Sequence, residues 1–141
     1  MSGIDDFLDR ARGRLKRLSP QEAWWAARDR GLIVDIRPAY QRAADGEITG
    51  AIVIERNHLE WRLDPACPAR IAEAVSADLR WIIICDEGYS SSLAAAALHD
   101  IGLTAATDVI GGFQQWREAG LPVARPGSPA RPRLALADRR I

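Results

Sequence analysis

A chain of 141 residues, 48% apolar and 27% charged, has room for one domain with a real core and none for two independent ones. Nineteen basic and nineteen acidic residues cancel, which removes a global field toward nucleic acid or an anionic membrane. The charged N-terminus is unlike a secretory leader, the apolar runs are too short to span a bilayer, and two cysteines make no disulfide framework, so a cytoplasmic domain is expected.

Ile4, Phe7, Leu8, Ala11, Leu15 and Leu18 recur at helical spacing and predict an amphipathic first helix. Its charged face, with Arg10, Arg12, Arg14, Lys16 and Arg17, reads as solvated, the stripe being packed on the domain. Residues 1–15 are thus an extension ahead of a domain that starts near residue 16. Ser19-Pro20-Gln21-Glu22 announces a second helix through a capping box with proline at its first position, and Gly31 closes it. Leu32 to Ile36 reads as a buried strand stopped at Arg37-Pro38, and 39–50 as loop with at most a helical turn.

Ala51 to Ile54 is a second strand. Asn57 is placed to cap a short helix through Leu63, and Pro68 to Ala77 is expected to form another. Trp81 to Ile84 is the most apolar run and too short for a helix, as suits a strand buried on both faces of a parallel sheet. Ser91 to Ile101 reads as helix, Thr104 to Ile110 as strand, and Phe113 to Ala119 as a last helix. Alternating short strands and helices imply crossover units, hence an α/β fold with helices on both faces of a mostly parallel sheet. Proline, arginine and small residues dominate the end of the chain, so residues 124–141 are expected to be a flexible tail.

Cys85 ends the most buried, central strand, at the carboxyl end where open α/β sheets place their sites. Asp86, Glu87, Gly88, Tyr89, Ser90 and Ser91 then lead into a helix; Gly88 permits a tight turn, and Ser90 or Ser91 is placed to cap. A loop curled before a helix N-terminus turns N–H groups toward one point, and the dipole adds positive potential there. Such donors stabilise a thiolate, a persulfide or a bound oxyanion.

Cys85-Asp86-Glu87-Gly88-Tyr89-Ser90-Ser91 resembles the C-x-x-G-x-[RST]-S active-site loop of the rhodanese-like family. Asp35-Ile36-Arg37 resembles its D-x-R. Gly46-Glu47-Ile48-Thr49-Gly50-Ala51 resembles G-H-I-x-G-A, with Glu47 where histidine is usual. Gly111-Gly112-Phe113-Gln114-Gln115-Trp116 resembles G-G-x-x-x-W. The likeness spans residues 16 to 123. It implies a single rhodanese-like domain with a five-stranded, mostly parallel sheet, and sulfur transfer through a Cys85 persulfide from a small-molecule or protein donor to a thiol or other nucleophile. It requires no metal or other cofactor.

Within this frame Asp86 to Ser91 form the persulfide-binding loop, and Arg56 and Arg62 are candidates for the anion contact that the loop lacks. Asp35 and Arg37 are structural neighbours of the site, while Tyr89, Trp61 and Phe113 are candidate pocket walls, Phe113 equally a core residue. Cys67 reads as an inert thiol or a resolving one. His58 and His99 stand alone, without ligand spacing. Two acids beside the cysteine disfavour a small dianion, so thiosulfate is expected to be a poor donor. The alternative function is a non-catalytic rhodanese-like binding module. A phosphatase would need C-x5-R, and the corresponding position holds Ser91.

Overall fold

Four parallel strands form the central sheet in the order β3-β1-β4-β5, with β1 Leu32–Asp35, β3 Ile52–Val53, β4 Trp81–Ile84 and β5 Thr107–Asp108. The computed structural model describes residues 2–125 and 141. Beyond β5 the sheet continues as a one-residue parallel bridge from Leu18 to Val109. The Leu18 N–H donates to the Asp108 carbonyl, and the Ile110 N–H donates to that of Leu18. The expected fifth strand is therefore a single rung. A separate antiparallel pair joins β2 Glu47–Ile48 to β6 Val123–Ala124. Ala124, read as the start of a tail, thus pairs with Glu47; residues 126–140 of that expected tail lie outside the described residues.

The period of two along β4 divides the core. Trp81 and Ile83 join Val34, Ile52, Leu59, Leu63, Leu98 and Leu103 on one face, with Cys85 among them. Ile82 and Ile84 join Ile33, Ile48, Val109, Phe113 and Trp116 on the other. Helices α4 Leu59–Leu63 and α5 Ser90–Asp100 contribute to the first face, and α2 Pro20–Ala27 and α6 Gly112–Glu118 to the second. Both faces of the sheet are covered, as its unbroken apolar strands require.

Helix α2 starts as its sequence dictates: the Ser19 hydroxyl accepts from the Glu22 N–H while the Glu22 carboxylate accepts from the Ser19 N–H. That backbone bond, then the hydroxyl, holds the Glu22 carboxyl below its ordinary range. The cap's contribution is accordingly present above the usual glutamate range and lost as pH falls through the lowered value. At the other end α2 is capped by Arg28, and Arg30 rather than Gly31 takes the left-handed conformation, with φ 71°.

Several local expectations need correction. The segment 68–77 forms successive turns, not a helix. The spacing of Ile71 and Ala74 suits either, but the backbone is satisfied from outside: Arg62 donates to the Ala69 carbonyl, and the Ile71 N–H to that of Arg62. Asn57 lies in a 3-10 turn, Arg56–His58, and makes no side-chain cap to α4. Residues 39–45 form a helix, α3 Ala39–Asp45, which buries none of its side chains and so leaves no apolar period to read. The first helix, α1 Gly3–Arg12, leaves Ile4 and Phe7 exposed; only its Ala11 is buried, with Leu8 half-buried.

Trp116 is fully buried, meets Trp24 edge-on at 6.1 Å, and donates its indole N–H to the Pro122 carbonyl. Replacing Trp116 by Ala removes all three supports and should cost about 3–5 kcal/mol in urea unfolding, whereas Trp25→Ala, at an exposed position, should change little.

Candidate active site

Cys85 follows β4 directly, and only 5% of it is exposed. Its Sγ accepts the Gly88 N–H at 3.1 Å and the Ser91 N–H at 3.4 Å, the second from the first turn of α5. Two backbone N–H donors, one of them in the first turn of a helix, therefore converge on the sulfur. Among the described residues no hydrogen bond engages the N–H groups of Glu87 or Tyr89, which leaves further loop donors free.

The loop is seated on the start of α6. The Phe113 and Gln114 N–H groups donate to the Cys85 and Asp86 carbonyls, and the Gln114 side-chain amide donates to the Asp86 carboxylate. The contact is too close for side chains. A Cβ on Gly88 (φ 89°) would lie 2.8 Å from the Gly111 nitrogen, and one on Gly112 (φ 60°) 2.5 Å from the Cys85 carbonyl oxygen. Glycine is required at both positions by conformation and by space.

Behind the loop lies a polar network that the sequence reading missed. Asp108, fully buried, accepts from Arg17 through Nε at 2.8 Å and Nη2 at 3.2 Å, and from the hydroxyls of Ser91 and Ser92 at 2.8 and 2.7 Å. Arg12 donates to the Ser92 hydroxyl and, at 2.8 Å, to the Gly88 carbonyl; Arg17 reaches the same carbonyl at 3.1 Å. Arg12 also lies over the Tyr89 ring. The charged face of the first helical segment, read as solvated, thus carries two arginines onto the loop. Neither Ser90 nor Ser91 caps α5: Tyr89 is the cap residue and gives no side-chain bond. An acid in a strand beside a buried edge and two serines on a helix otherwise rich in alanine were the available signals.

The other predicted residues fall into place separately. Arg56 forks onto Glu60 at 2.9 and 3.0 Å, so its charge is committed within α4 and the turn before it. Arg62 is bound to the Ala69 carbonyl. Asp35 and Arg37 form a buried, multiply bonded pair; Arg37 also donates to the Gly46 carbonyl and stacks 3.9 Å over Phe113, which is core. Glu47 is buried and paired with Arg42. Asp86 is half-buried, while Glu87, Tyr89, Ser90 and Trp61 are exposed. Cys67 is a free, half-buried thiol that accepts the Ala69 N–H, and His99 bonds the Ala106 carbonyl. No cluster of three potential metal ligands occurs among the described residues.

The rhodanese-like domain model matches residues 19–119. The chain belongs to the rhodanese-like family. It is 33% identical over 102 residues to the thiosulfate sulfurtransferase GlpE of Pseudomonas entomophila, covering 72% of this chain and 84% of that one. A Rhodopseudomonas palustris protein described as of unknown function, possible tyrosine phosphatase, superposes with TM-score 0.78 and 32% identity over 87% of this rhodanese-like chain and 95% of its own. The human single-domain sulfurtransferase TSTD1 gives TM-score 0.60 and 27% identity, over 72% and 95% respectively. Sulfur transfer is therefore supported at the level of the family. In this rhodanese-like chain, Gly112→Ala should strain the backbone and displace the Cys85 loop, costing about 1–3 kcal/mol in denaturant unfolding. Exposed Gly120, also at positive φ but with open space around it, should respond less to the same change.

Proposed function

We propose that the protein is a sulfurtransferase or persulfide carrier acting through Cys85. The observation that carries this reading is the pair of N–H donors on Sγ at the N-terminus of α5. The Cys85 thiolate attacks the sulfane sulfur of a donor; the bond from that sulfur to its carrier breaks, and the electron pair leaves with the carrier, as sulfite from thiosulfate or as a thiolate from a persulfide. Cys85 then holds a persulfide anion, for which the free N–H groups of Glu87 and Tyr89 are candidate partners. An acceptor thiolate attacks the outer sulfur, takes it as a new persulfide, and returns the Cys85 thiolate.

The relatives' name makes thiosulfate the first donor to try, but the loop argues for a less charged one. Asp86 is held in place by Gln114, so its negative charge is fixed beside the cysteine, whereas Glu87 stands in water and is screened. A persulfide on a protein or a small thiol carries less charge to repel. A phosphatase reading loses support at Ser91, where C-x5-R would need arginine: the hydroxyl there is committed to buried Asp108.

Intact mass spectrometry after incubation with thiosulfate, polysulfide, or a cysteine desulfurase with cysteine should show one added sulfur, absent from Cys85→Ser. No adduct from any donor would instead favour a binding module. Steady-state kinetics with thiosulfate should show Asp86→Ala raising kcat/KM about threefold to tenfold, the scale of one nearby charge, and Glu87→Ala less. An unchanged constant in the double variant would overturn the donor preference.

A further inference from the structure

We propose that Arg12 and Arg17 are positioning residues of the Cys85 loop, a clamp delivered from the N-terminal segment in place of a cation within the loop itself. The inference rests on the reading of Cys85 as the reacting thiolate. Both guanidinium groups donate to one atom, the Gly88 carbonyl oxygen, at 2.8 and 3.1 Å. Gly88 is also the residue whose N–H meets Sγ. The peptide joining Gly88 to Tyr89 is trans, so its N–H points away from the arginines that hold its carbonyl. Fixing that carbonyl therefore fixes the orientation of the Tyr89 N–H, a loop donor with no hydrogen-bond partner among the described residues. Apart from the two arginines, that carbonyl accepts only the Ser92 hydroxyl, at the longer distance of 3.4 Å, and a glycine at φ 89° brings no side chain of its own to hold the peptide plane.

The two arginines differ electrically. Arg17 is neutralised by buried Asp108, whereas Arg12 has no carboxylate partner among the described residues; its contacts are the Ser92 hydroxyl, the Gly88 carbonyl and the Tyr89 ring. The contact path from Sγ through Gly88 bounds Arg12 within about 10 Å of the sulfur, comparable to a Debye length, and the guanidinium is only partly exposed. The groups that set the local charge are Asp86 and Glu87 on the loop, Tyr89 beside them, Arg12 from α1, Arg17 after it, and Asp108 from β5. Arg12 is the member of this set that offsets the loop acids. Sequence reasoning looked for that charge in Arg56, which is spent on Glu60.

The test is the rate of iodoacetamide alkylation of Cys85 against pH, in a Cys67→Ser background, for wild type, Arg12→Gln, Arg12→Lys, Arg17→Lys and the control Arg14→Ala. Arg14 joins the same segment to α5 through an exposed pair with Asp100, so it reports mere loosening of the extension. Arg12→Gln should slow alkylation at pH 7 about threefold to tenfold and move the profile to higher pH. Arg12→Lys should keep the profile's position while losing part of the rate, because lysine restores the charge but not the fork to Gly88 and Ser92. Arg17→Lys, which keeps a charge opposite Asp108, should slow alkylation without moving the profile. A folded Arg12→Gln protein with the wild-type rate and profile would overturn the clamp, as would an equal loss in Arg14→Ala. Alkylation needs no sulfur donor, so the two readings fail separately. A wild type that alkylates with this arginine dependence yet never gains sulfur sinks the proposed function alone; one that gains sulfur while Arg12→Gln alkylates normally sinks the clamp alone.

Discussion

Asp108 is a carboxylate with no exposure to water, and the local structure around the cysteine is arranged to satisfy it. A buried charge is tolerated only when it is paired and its remaining lone pairs are filled. Arg17 supplies the charge, and Ser91 and Ser92 supply hydroxyl donors from the first turn of α5. The same two serines tie the first turn of α5 to β5, and that turn sets the Ser91 N–H against Sγ. Arg17 lies one residue before the Leu18 rung that extends the sheet past β5. One anion thus registers the sheet edge, a helix start and the N-terminal segment on a common point, with the cysteine loop in front of it.

The large-scale order of the fold was readable because it follows from burial. The run Trp81 to Ile84 can only be a strand covered on both sides, and the capping box at Ser19 is a local chemical device that needs no tertiary context. The segment 68–77 misled because Ile71 and Ala74 satisfy a helical period, while its backbone bonds in short local turns and to Arg62 of α4. The first helix misled for a related reason. Its spacing is amphipathic, but its apolar start projects into solvent, and its last two residues, Ala11 and Arg12, do the packing.

For the site, the placement of Cys85 and the turn at Gly88 were legible, because strand end, glycine and helix start are all local signals. The origin of the compensating charge was not. Arg12 is 73 positions from Cys85 in sequence and Arg56 only 29, and nothing along the chain says which of them folds toward the loop. Geometry chose the distant one, because α1 packs along α5 while Arg56 sits one helical turn from an acid of its own. Loop acids that seem unbalanced in one dimension are balanced in three.

The matched family region begins at residue 19, and Arg17 stands two positions before it. A version of this protein cut at that boundary would keep every residue of the cysteine motif and still contain Asp108, now without its counter-ion. Removing one partner from a buried ion pair costs about 3–5 kcal/mol, a large part of a small domain's stability. The boundary drawn by likeness and the boundary drawn by electrostatics therefore differ by a few residues. The second is the one a stable, transplantable unit has to respect.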